Sequence, residues 1–361
     1  MSLSDIANFR LINQQITNSE FKTPKEIVGW MGAIQAQDMN MAKWAIGARL
    51  NGSTEEEIDS AIEKGEIIRI HLLRPTWHFV SSEDIYWMLD LTSPQIRTTL
   101  KSRDKRLGHN EAIYRKSNAI LEKALSGGNH LSREELIPLF INSGLAVDEN
   151  KAAHLLLRAE IDGLICSGKI KEKKQTYALL SERVSKKKTF AREEALAELA
   201  KRYFTSHGPA TLQDFIWWSG LSIGESKQAL EMVKSGILSE TVGDQTYWFA
   251  AVSEVSLRNK DSVYLLPAYD EFVISYRDRT ASLIFEDHNK AVSNNGVFRP
   301  IIVEKGIVTG IWKRTIKNDK VMIETEFFRP PGKVMHNRLL KPLTSYGHFL
   351  EKKVELNGAL Q

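Results

Sequence analysis

The sequence predicts an α+β fold in which three helical modules, each closed by two short strands, precede a small β-rich domain. Apolar residues recur at helical spacing in three groups of helices, and each group is followed by two short runs rich in β-branched and aromatic residues. Past residue 257 strand-like runs and turn residues replace the helical spacing. Helices followed by a two-stranded wing are typical of a winged helix. We therefore predict tandem winged-helix (helix-turn-helix) modules followed by a small C-terminal antiparallel β-sheet or barrel.

The first predicted module covers residues 1–106. The pair Thr23-Pro24 combines an N-cap with a proline at the first helical position, and this predicts the start of a helix. The runs 67–72 and 76–80 predict the two strands of the wing.

The same order recurs in the second module, residues 107–187, and in the third, residues 188–256. Turns at 207–210 and 219–221 separate the helices of the third module. The spacing is irregular, which indicates similar modules in tandem and not a strict solenoid. The predicted elements are helices at 118–125, 131–142, 149–162, 192–206, 212–219 and 223–234, and strands at 165–172, 176–180, 237–242 and 246–249.

The C-terminal domain, residues 257–361, is predicted from strand-like runs and one helical run. A turn at Lys305-Gly306 predicts a hairpin over residues 300–312. A helix within residues 331–350 would close the sheet. The strands are predicted at 263–266, 282–285, 299–304, 307–312 and 320–328.

Charge permits a nucleic-acid partner without requiring one. The 361 residues include 49 Lys and Arg against 45 Asp and Glu, a net charge of +4. The basic residues form four clusters; each could be solvated surface, but their spread favours a long surface that follows DNA phosphates. The clusters are Arg97, Lys101, Arg103, Lys105 and Arg106; Lys169, Lys171, Lys173 and Lys174; Lys186, Lys187 and Lys188; and Arg329, Lys333, His336, Arg338 and Lys341.

Several function classes are disfavoured by what the sequence lacks. The single cysteine, Cys166, allows no internal disulfide, and its apolar neighbours predict a buried side chain. There is no N-terminal signal segment and no apolar run near the ~20 residues of a membrane span, so we expect a cytoplasmic protein. Metal-ligand spacings, phosphate-binding glycine loops and a nucleophile elbow are missing as well. We expect neither a metal nor another cofactor.

The sharpest candidate for chemistry is Gln35-Ala36-Gln37, which the apolar spacing places at the end of a helix. Residues two apart in a helix point about 200° from each other, so both amides reach one ligand only if the helix ends or tightens near Ala36. A break at residues 38–40 supplies such an end. From the residues alone, a capping or turn role for the two amides is the simpler interpretation. Asp38, next to the motif, is another candidate for the catalytic base, and its alternative is a structural role as a helix-end or turn carboxylate.

Together with the segment Leu-Leu-Pro-Ala-Tyr-Asp-Glu-Phe at 265–272, this motif resembles the tandem winged-helix DNA glycosylases of the AlkZ/YcaQ type. An Arg-x-Thr-x-His stretch at 74–78 and Trp-Trp-Ser-Gly at 217–220 add to the resemblance, which spans nearly the whole chain. It implies that Gln35 and Gln37 are catalytic, that the modules form a basic channel for duplex DNA, and that no cofactor is needed.

On a strand, Arg74, Thr76 and His78 would share one face and contact phosphate or line the lesion pocket, while Trp77 packs inward. The alternative is a hairpin with polar side chains toward solvent. Pro75 stands where the family leads us to expect glycine, and it limits pairing at that edge.

Arg277 and Arg279 follow the family-specific segment and would contact DNA or join a structural ion network with Asp270, for which we favour the structural role. The expected DNA contacts are Arg74, Thr76, His78, Arg103, Lys105, Arg106, Lys171, Lys173, Arg277, Arg279 and Arg338.

The resemblance implies DNA repair by a monofunctional DNA N-glycosylase, a hydrolase that excises N7-alkylpurines, including crosslinked ones, from duplex DNA. Such a base is cationic and leaves readily, so two amides could suffice to position water and stabilise an oxocarbenium-like sugar. A winged-helix DNA-binding protein or transcription regulator without chemistry is the main alternative, and a protein-interaction scaffold is another. Regulators are usually symmetric dimers, whereas three unlike modules in one chain favour a monomer that clasps DNA.

Overall fold

The computed structural model describes residues 1–172, 174–251 and 262–357. Lys173, one of the expected DNA contacts, lies outside the described residues, as does the predicted boundary between residues 256 and 257. Three winged helices and a C-terminal sheet follow one another along the chain, which confirms the predicted fold class. No helix in the described part of the chain is long and apolar enough to cross a membrane.

The first winged helix and the helix before it consist of α1 (Leu3–Asn13), α2 (Pro24–Met31), β1 (Ile34–Gln35), α3 (Met39–Gly47), α4 (Glu55–Glu63), β2 (Ile67–Leu72) and β3 (Thr76–Ser81). Helix α2 begins where the sequence predicts, because the Thr23 side chain accepts a hydrogen bond from the Glu26 N–H and the Glu26 carboxylate accepts one from the Thr23 N–H. The three strands form one antiparallel sheet in the order β1-β3-β2. Strand β1 is therefore an edge strand.

A long helix, α5 (Ile85–Leu107), leads from the first module to the second. This helix was not predicted from the sequence. Its apolar residues are buried mainly in the first half, and Pro94 lies inside it. Its C-terminal half carries the first basic cluster, with Lys105 and Arg106 exposed.

The second and third winged helices repeat the order of the first. The second has α6 (Glu111–Leu125), β4 (Leu131–Ser132), α7 (Arg133–Asn142), α8 (Glu149–Ile161), β5 (Ile165–Ser167) and β6 (Thr176–Leu179), followed by the short α9 (Leu180–Arg183). The third has α10 (Arg192–Ser206), α11 (Leu212–Ser219), α12 (Ile223–Val233), β7 (Leu238–Val242) and β8 (Gln245–Phe249).

Each winged helix has a short strand between its first two helices, and this strand pairs with the last strand of the wing. In the second module β4 pairs with β6, and in the third an isolated bridge joins Ala210 to Trp248. Residues 131–132 were predicted as helix, and they are strand because their backbone pairs with β6. Cys166 is fully buried in β5, as predicted.

The C-terminal domain contains β9 (Val263–Leu266), α13 (Glu271–Ile274), α14 (His288–Ala291), β10 (Ile301–Glu304), β11 (Ile307–Ile316), β12 (Lys320–Phe327), α15 (Met335–Phe349) and β13 (Lys353–Asn357). The sheet order is β13-β12-β11-β10-β9, with only β13 joining in parallel. The predicted hairpin is confirmed: Lys305 and Gly306 both have positive φ, as a two-residue turn between β10 and β11 requires. The predicted strand at 282–285 is wrong, because these residues lead through a turn into a short 3-10 helix.

The cores of the modules are continuous with one another. One cluster joins the first winged helix to the C-terminal sheet, where the Trp44 indole donates to the Leu265 carbonyl at 2.7 Å. A second cluster joins the wing of the first module to the helices of the third, and Leu73, Phe215 and Trp218 pack within it. The first wing is thus held between the third winged helix and the C-terminal domain.

Candidate active site

The Gln35-Ala36-Gln37 motif begins on the edge strand of the first wing. Helix α2 ends at Met31, and Gln35 is the register partner of His78 on β3. The Ala36 N–H donates to the Trp77 carbonyl at 2.7 Å. The prediction that the motif lies at a helix end is therefore wrong. The helical geometry that would turn the two amides away from each other does not apply here, because the motif lies outside a helix, with Gln35 on the strand and Gln37 in the bend after it.

Gln35 lies on β1 opposite His78, whereas Gln37 lies in the bend that follows the strand. Gln35 is 5% exposed and Gln37 is exposed, whereas Ala36 between them is buried. His78 stands beside Gln35, and Thr76 follows on the same face by strand alternation. The motif thus presents one buried and one accessible amide at the edge of a sheet.

Glu271, which was not predicted as a site residue, binds the backbone of the motif at Gln35. Its Oε1 accepts the Gln35 N–H at 2.6 Å, and the Ser275 hydroxyl donates to its Oε2. This N–H points outward from an edge strand and needs a partner that the sheet does not supply. Burial alone would raise the pKa of Glu271, but the nearby His207 ring and the Ser275 hydroxyl lower it to about 2. A carboxylate charge therefore lies directly behind Gln35.

Arg74 fixes the side chain of Gln35. It lies in the turn before β3, not on the strand as predicted, because Leu73 adopts a positive φ of 58°. Its Nη2 donates to the Gln35 Oε1 at 3.2 Å. Since a guanidinium has only donors, the amide oxygen must be the atom that faces Arg74. Burial lowers the pKa of Arg74.

Some of the buried polar atoms that have no hydrogen-bond partner among the described residues lie on residues 74–78 and on His207, while others are spread over the rest of the protein. The former are Arg74 Nε, Thr76 Oγ1, Trp77 Nε1, His78 Nε2 and His207 Nε2. Proteins usually satisfy such atoms, so a group of them is a mark of a functional site.

His78 is fully buried, which leaves its ring no surface for a direct phosphate contact. Its Nδ1 lies 3.0 Å from the Thr76 carbonyl and donates to it, because a carbonyl only accepts. Burial lowers the pKa of His78 to about 4, so the ring is neutral at neutral pH. In this structure His78 is a neutral part of the interior beside Gln35.

The segment after Asp270 brings a second arginine to this region. The Arg279 guanidinium lies 5.5 Å from the Trp217 ring, and its Nε donates to the Val273 carbonyl at 3.0 Å. Arg277 is exposed, and its backbone N–H donates to Asp214 at 2.9 Å.

Asp270 has the structural role that the sequence analysis favoured. Both of its carboxylate oxygens accept hydrogen bonds of 2.8 Å from the Arg49 guanidinium, and both side chains are fully buried. It also caps α13 by accepting from the Phe272 N–H.

Asp38, the rival base, is an exposed N-cap whose Oδ1 accepts the Met41 N–H at 3.1 Å. This N-cap geometry is the structural role that was the alternative to a catalytic base for Asp38.

The remaining expected DNA contacts lie on other elements. Arg103, Lys105 and Arg106 are on α5, where Arg103 donates to Asn150 at 3.0 Å. Lys171 is exposed in the second wing and lies 3.7 Å from Glu135. Arg338 on α15 donates to Glu304 at 2.6 Å. The structure thus brings Arg74, Thr76, His78 and Arg279 toward the motif and distributes these others over separate surfaces.

A cavity of about 460 Å³ lies between α3, β9 and α15 and is lined in part by Arg338. Neither glutamine lines it, so cavity size alone would point away from the motif. Within the described residues, no three His, Cys, Asp or Glu side chains are grouped as metal ligands.

Both the sequence and the fold of this chain are similar to those of known DNA glycosylases. Residues 28–349 match the family model described as "DNA glycosylase AlkZ-like". No curated protein matches the sequence significantly. The Streptomyces sahachiroi DNA glycosylase AlkZ has a similar fold, with a TM-score of 0.80 over 99% of each chain at 16% sequence identity. The resemblance noted in the sequence is thereby confirmed. Because the family model spans nearly the whole chain, this protein belongs to the AlkZ-like DNA glycosylase family.

Proposed function

We propose that this DNA glycosylase hydrolyses the N-glycosidic bond of alkylated bases in duplex DNA, namely N7-alkylpurines, including crosslinked ones. The observation that carries the proposal is the position of Gln35 on the edge strand β1, where Arg74 and Glu271 fix it, with the exposed Gln37 two residues further along the chain. In this proposal Gln37, the exposed amide, meets the DNA first, and Gln35 lines the floor of the site.

The chemistry suits neutral amides. When the bond between C1′ and the base breaks, its electron pair neutralises the positive charge of the N7-alkylated ring, so no strong acid is needed. Water then bonds to C1′ and releases a proton to solvent. An amide oxygen accepts a hydrogen bond from that water and places negative partial charge near the oxocarbenium-like sugar, a contribution of positioning and electrostatics.

The neighbours of Gln35 support this role. Arg74 directs the amide oxygen, which still has a lone pair for a water molecule. The Glu271 carboxylate behind the Gln35 backbone supplies negative potential where positive charge develops on the sugar. We infer a monofunctional enzyme, since water and not a lysine is the nucleophile, and a monomer that clasps the duplex.

The test is release of N7-methylguanine from a duplex oligonucleotide under single-turnover conditions. Gln35→Ala and Gln37→Ala should each slow excision ~100-fold or more, because a transition-state contact is lost. Gln245→Ala is a matched control, since Gln245 is an exposed amide in the hairpin of the third module. DNA binding should persist in all three variants.

Two outcomes would contradict the proposal. Excision that is indifferent to both glutamine substitutions would remove the motif from catalysis. Absence of N7-methylguanine release in the wild type, with salt-dependent duplex binding retained, would favour a DNA-binding role without this chemistry. Amides do not titrate, so the single-turnover rate should also be level between pH 6 and 8.

A further inference from the structure

Two arginines from distant parts of the chain flank one exposed tryptophan beside the motif. The guanidinium carbons of Arg74 and Arg279 lie 5.2 Å and 5.5 Å from the centroid of the Trp217 ring. Trp217 is 39% exposed, and its indole N–H donates to the Ile274 carbonyl at 2.9 Å, which fixes the ring. The arrangement joins the first wing, the third winged helix and the segment after α13 at one surface.

Neither guanidinium is in direct contact with a carboxylate of the described residues, although Glu271 acts electrostatically on Arg74 and Asp214 on Arg279. Among residues 1–172, 174–251 and 262–357, no Asp or Glu forms a salt bridge with Arg74 or Arg279. By contrast, the buried Arg49 is paired with Asp270, and Arg202 with Asp84. The pKa of Arg279 is lowered to about 10, mainly by burial and also by the charge of Arg74, while Asp214 and Asp278 oppose the shift. Two like charges are thus held close together with little solvation, an arrangement that an anion would stabilise.

Both side chains keep donors available for such an anion. Arg74 uses Nη2 on Gln35, and Arg279 uses Nε on the Val273 carbonyl. No described residue accepts a hydrogen bond from Arg74 Nη1 or from either terminal amino group of Arg279. Guanidinium groups bind phosphate oxygens through paired N–H donors, so the geometry suits a phosphodiester.

We propose that Arg74 and Arg279 together bind one phosphodiester group of the damaged strand, next to the nucleotide that Gln35 reaches. This inference rests on the proposed function for the identity of the neighbouring nucleotide. The Arg74 guanidinium then contacts both the DNA backbone and the amide oxygen of Gln35, so it links the bound phosphate to the motif. A phosphate bound there sets the distance between the sugar and the motif.

The experiment neutralises single phosphates. Duplexes that contain a tetrahydrofuran abasic site are synthesised with one methylphosphonate at each phosphate flanking that site, in either strand. In the wild type, one position in the damaged strand should weaken binding ~10-fold or more, because a charge-assisted hydrogen bond is lost. Arg74→Gln and Arg279→Gln should bind the unmodified duplex more weakly and lose most of the additional penalty at that position.

Arg115→Gln is the matched control, since Arg115 is an exposed arginine on α6. It should retain the full methylphosphonate penalty. Arg279→Gln is the cleaner of the two test variants, because Arg279 makes no hydrogen bond to Gln35 among the described contacts, whereas losing Arg74 also releases the amide. Arg279→Lys should keep part of the methylphosphonate penalty, because lysine retains the positive charge. This variant therefore distinguishes loss of the charge from a failure of Arg279→Gln to fold.

The proposal is overturned if Arg279→Gln suffers the same penalties as the wild type at every position. It is also overturned if the sensitive phosphate lies in the undamaged strand. The experiment measures binding to an abasic site, where there is no base to excise. Its result therefore does not depend on the proposed excision chemistry, and a failure of one proposal can be told apart from a failure of the other.

Discussion

Gln35 is bonded through its backbone to one charged residue and through its side chain to another. Glu271 accepts the backbone N–H, and Arg74 donates to the side-chain oxygen. These two bonds fix both the position of the strand and the rotation of the amide. A neutral catalytic amide depends on placement more than on proton affinity, so we expect such residues to matter nearly as much as the glutamine itself.

Glu271→Gln should lower both stability and excision. Loss of the carboxylate charge weakens the hydrogen bonds that the Gln35 N–H and the Ser275 hydroxyl donate to it, at a cost of about 1–3 kcal/mol of unfolding free energy. Excision should fall further than DNA binding, since the negative potential behind Gln35 is lost. Urea unfolding and single-turnover excision at pH 7 measure the two effects, and an unchanged excision rate would assign Glu271 to structure alone.

The same residue predicts a pH dependence. Its pKa is lower in the folded than in the unfolded state, so the stabilisation is complete above about pH 4.5 and declines as pH falls toward 2. The difference in unfolding free energy between wild type and Glu271→Gln should therefore shrink between pH 5 and pH 3. A constant difference over that range would contradict the assignment.

At the scale of elements, the site is built on the smallest strand of a winged helix. All three modules have a strand or bridge at this place, formed by Ile34–Gln35, Leu131–Ser132 and Ala210. Only in the first does glutamine occupy it. An edge strand has N–H groups that point away from the sheet, and this is the feature that lets Glu271 accept the Gln35 N–H.

The contact between the third module and the first wing can be tested at Gly220. This glycine ends α11 with φ 69°, and a Cβ there would stand 2.6 Å from the Leu73 carbonyl, next to Arg74. Gly220→Ala should destabilise the fold by about 1–3 kcal/mol more than Gly243→Ala. Gly243 has a similar φ of 64° but nothing within 4 Å of the added atom.

Gly220→Ala should also slow excision, because the turn that carries Arg74 must move. Thermal unfolding and excision assays on both variants give the comparison. Equal losses for the two glycines would show that the backbone conformation, and not the close approach, is what matters at Gly220.

At the scale of the whole molecule, the first winged helix is clamped to the C-terminal domain by a buried ion pair. Arg49 donates to Asp270 and also to the Gln14 side chain, while Gln14 donates to Tyr276. The four side chains are fully buried and come from α1, the end of α3 and the segment around α13. This network places Glu271, the next residue after Asp270, against the motif.

Arg49→Met should lower the free energy of unfolding by about 3–5 kcal/mol, because it leaves the Asp270 carboxylate buried without its cation. Lys25→Ala breaks an exposed ion pair with Glu83 and should cost about 1 kcal/mol or less. Chemical denaturation of both variants measures the contrast. Similar losses would mean that solvent reaches the Arg49 pair.

Much of the fold follows from the sequence because its signals are local. The helix start at Thr23-Pro24, the turn at Lys305-Gly306 and the burial of Cys166 each depend on a few neighbouring residues, and the structure bears them out. Helix α5 was missed because its apolar residues are confined largely to one half and it contains a proline. The strand at 282–285 was wrong because a short apolar run does not by itself supply a pairing partner.

The sequence by itself determined the family resemblance, the order of the modules and the two glutamines as candidates. Only the tertiary structure decided how those amides are presented. It placed Gln35 on a strand that pairs with residues some 40 positions away, gave it a carboxylate partner 236 residues distant, and set Arg74 beside Arg279 around Trp217. The physical reason is that hydrogen bonds across an edge strand and charges gathered from separate modules depend on long-range packing, which no local pattern of residues records.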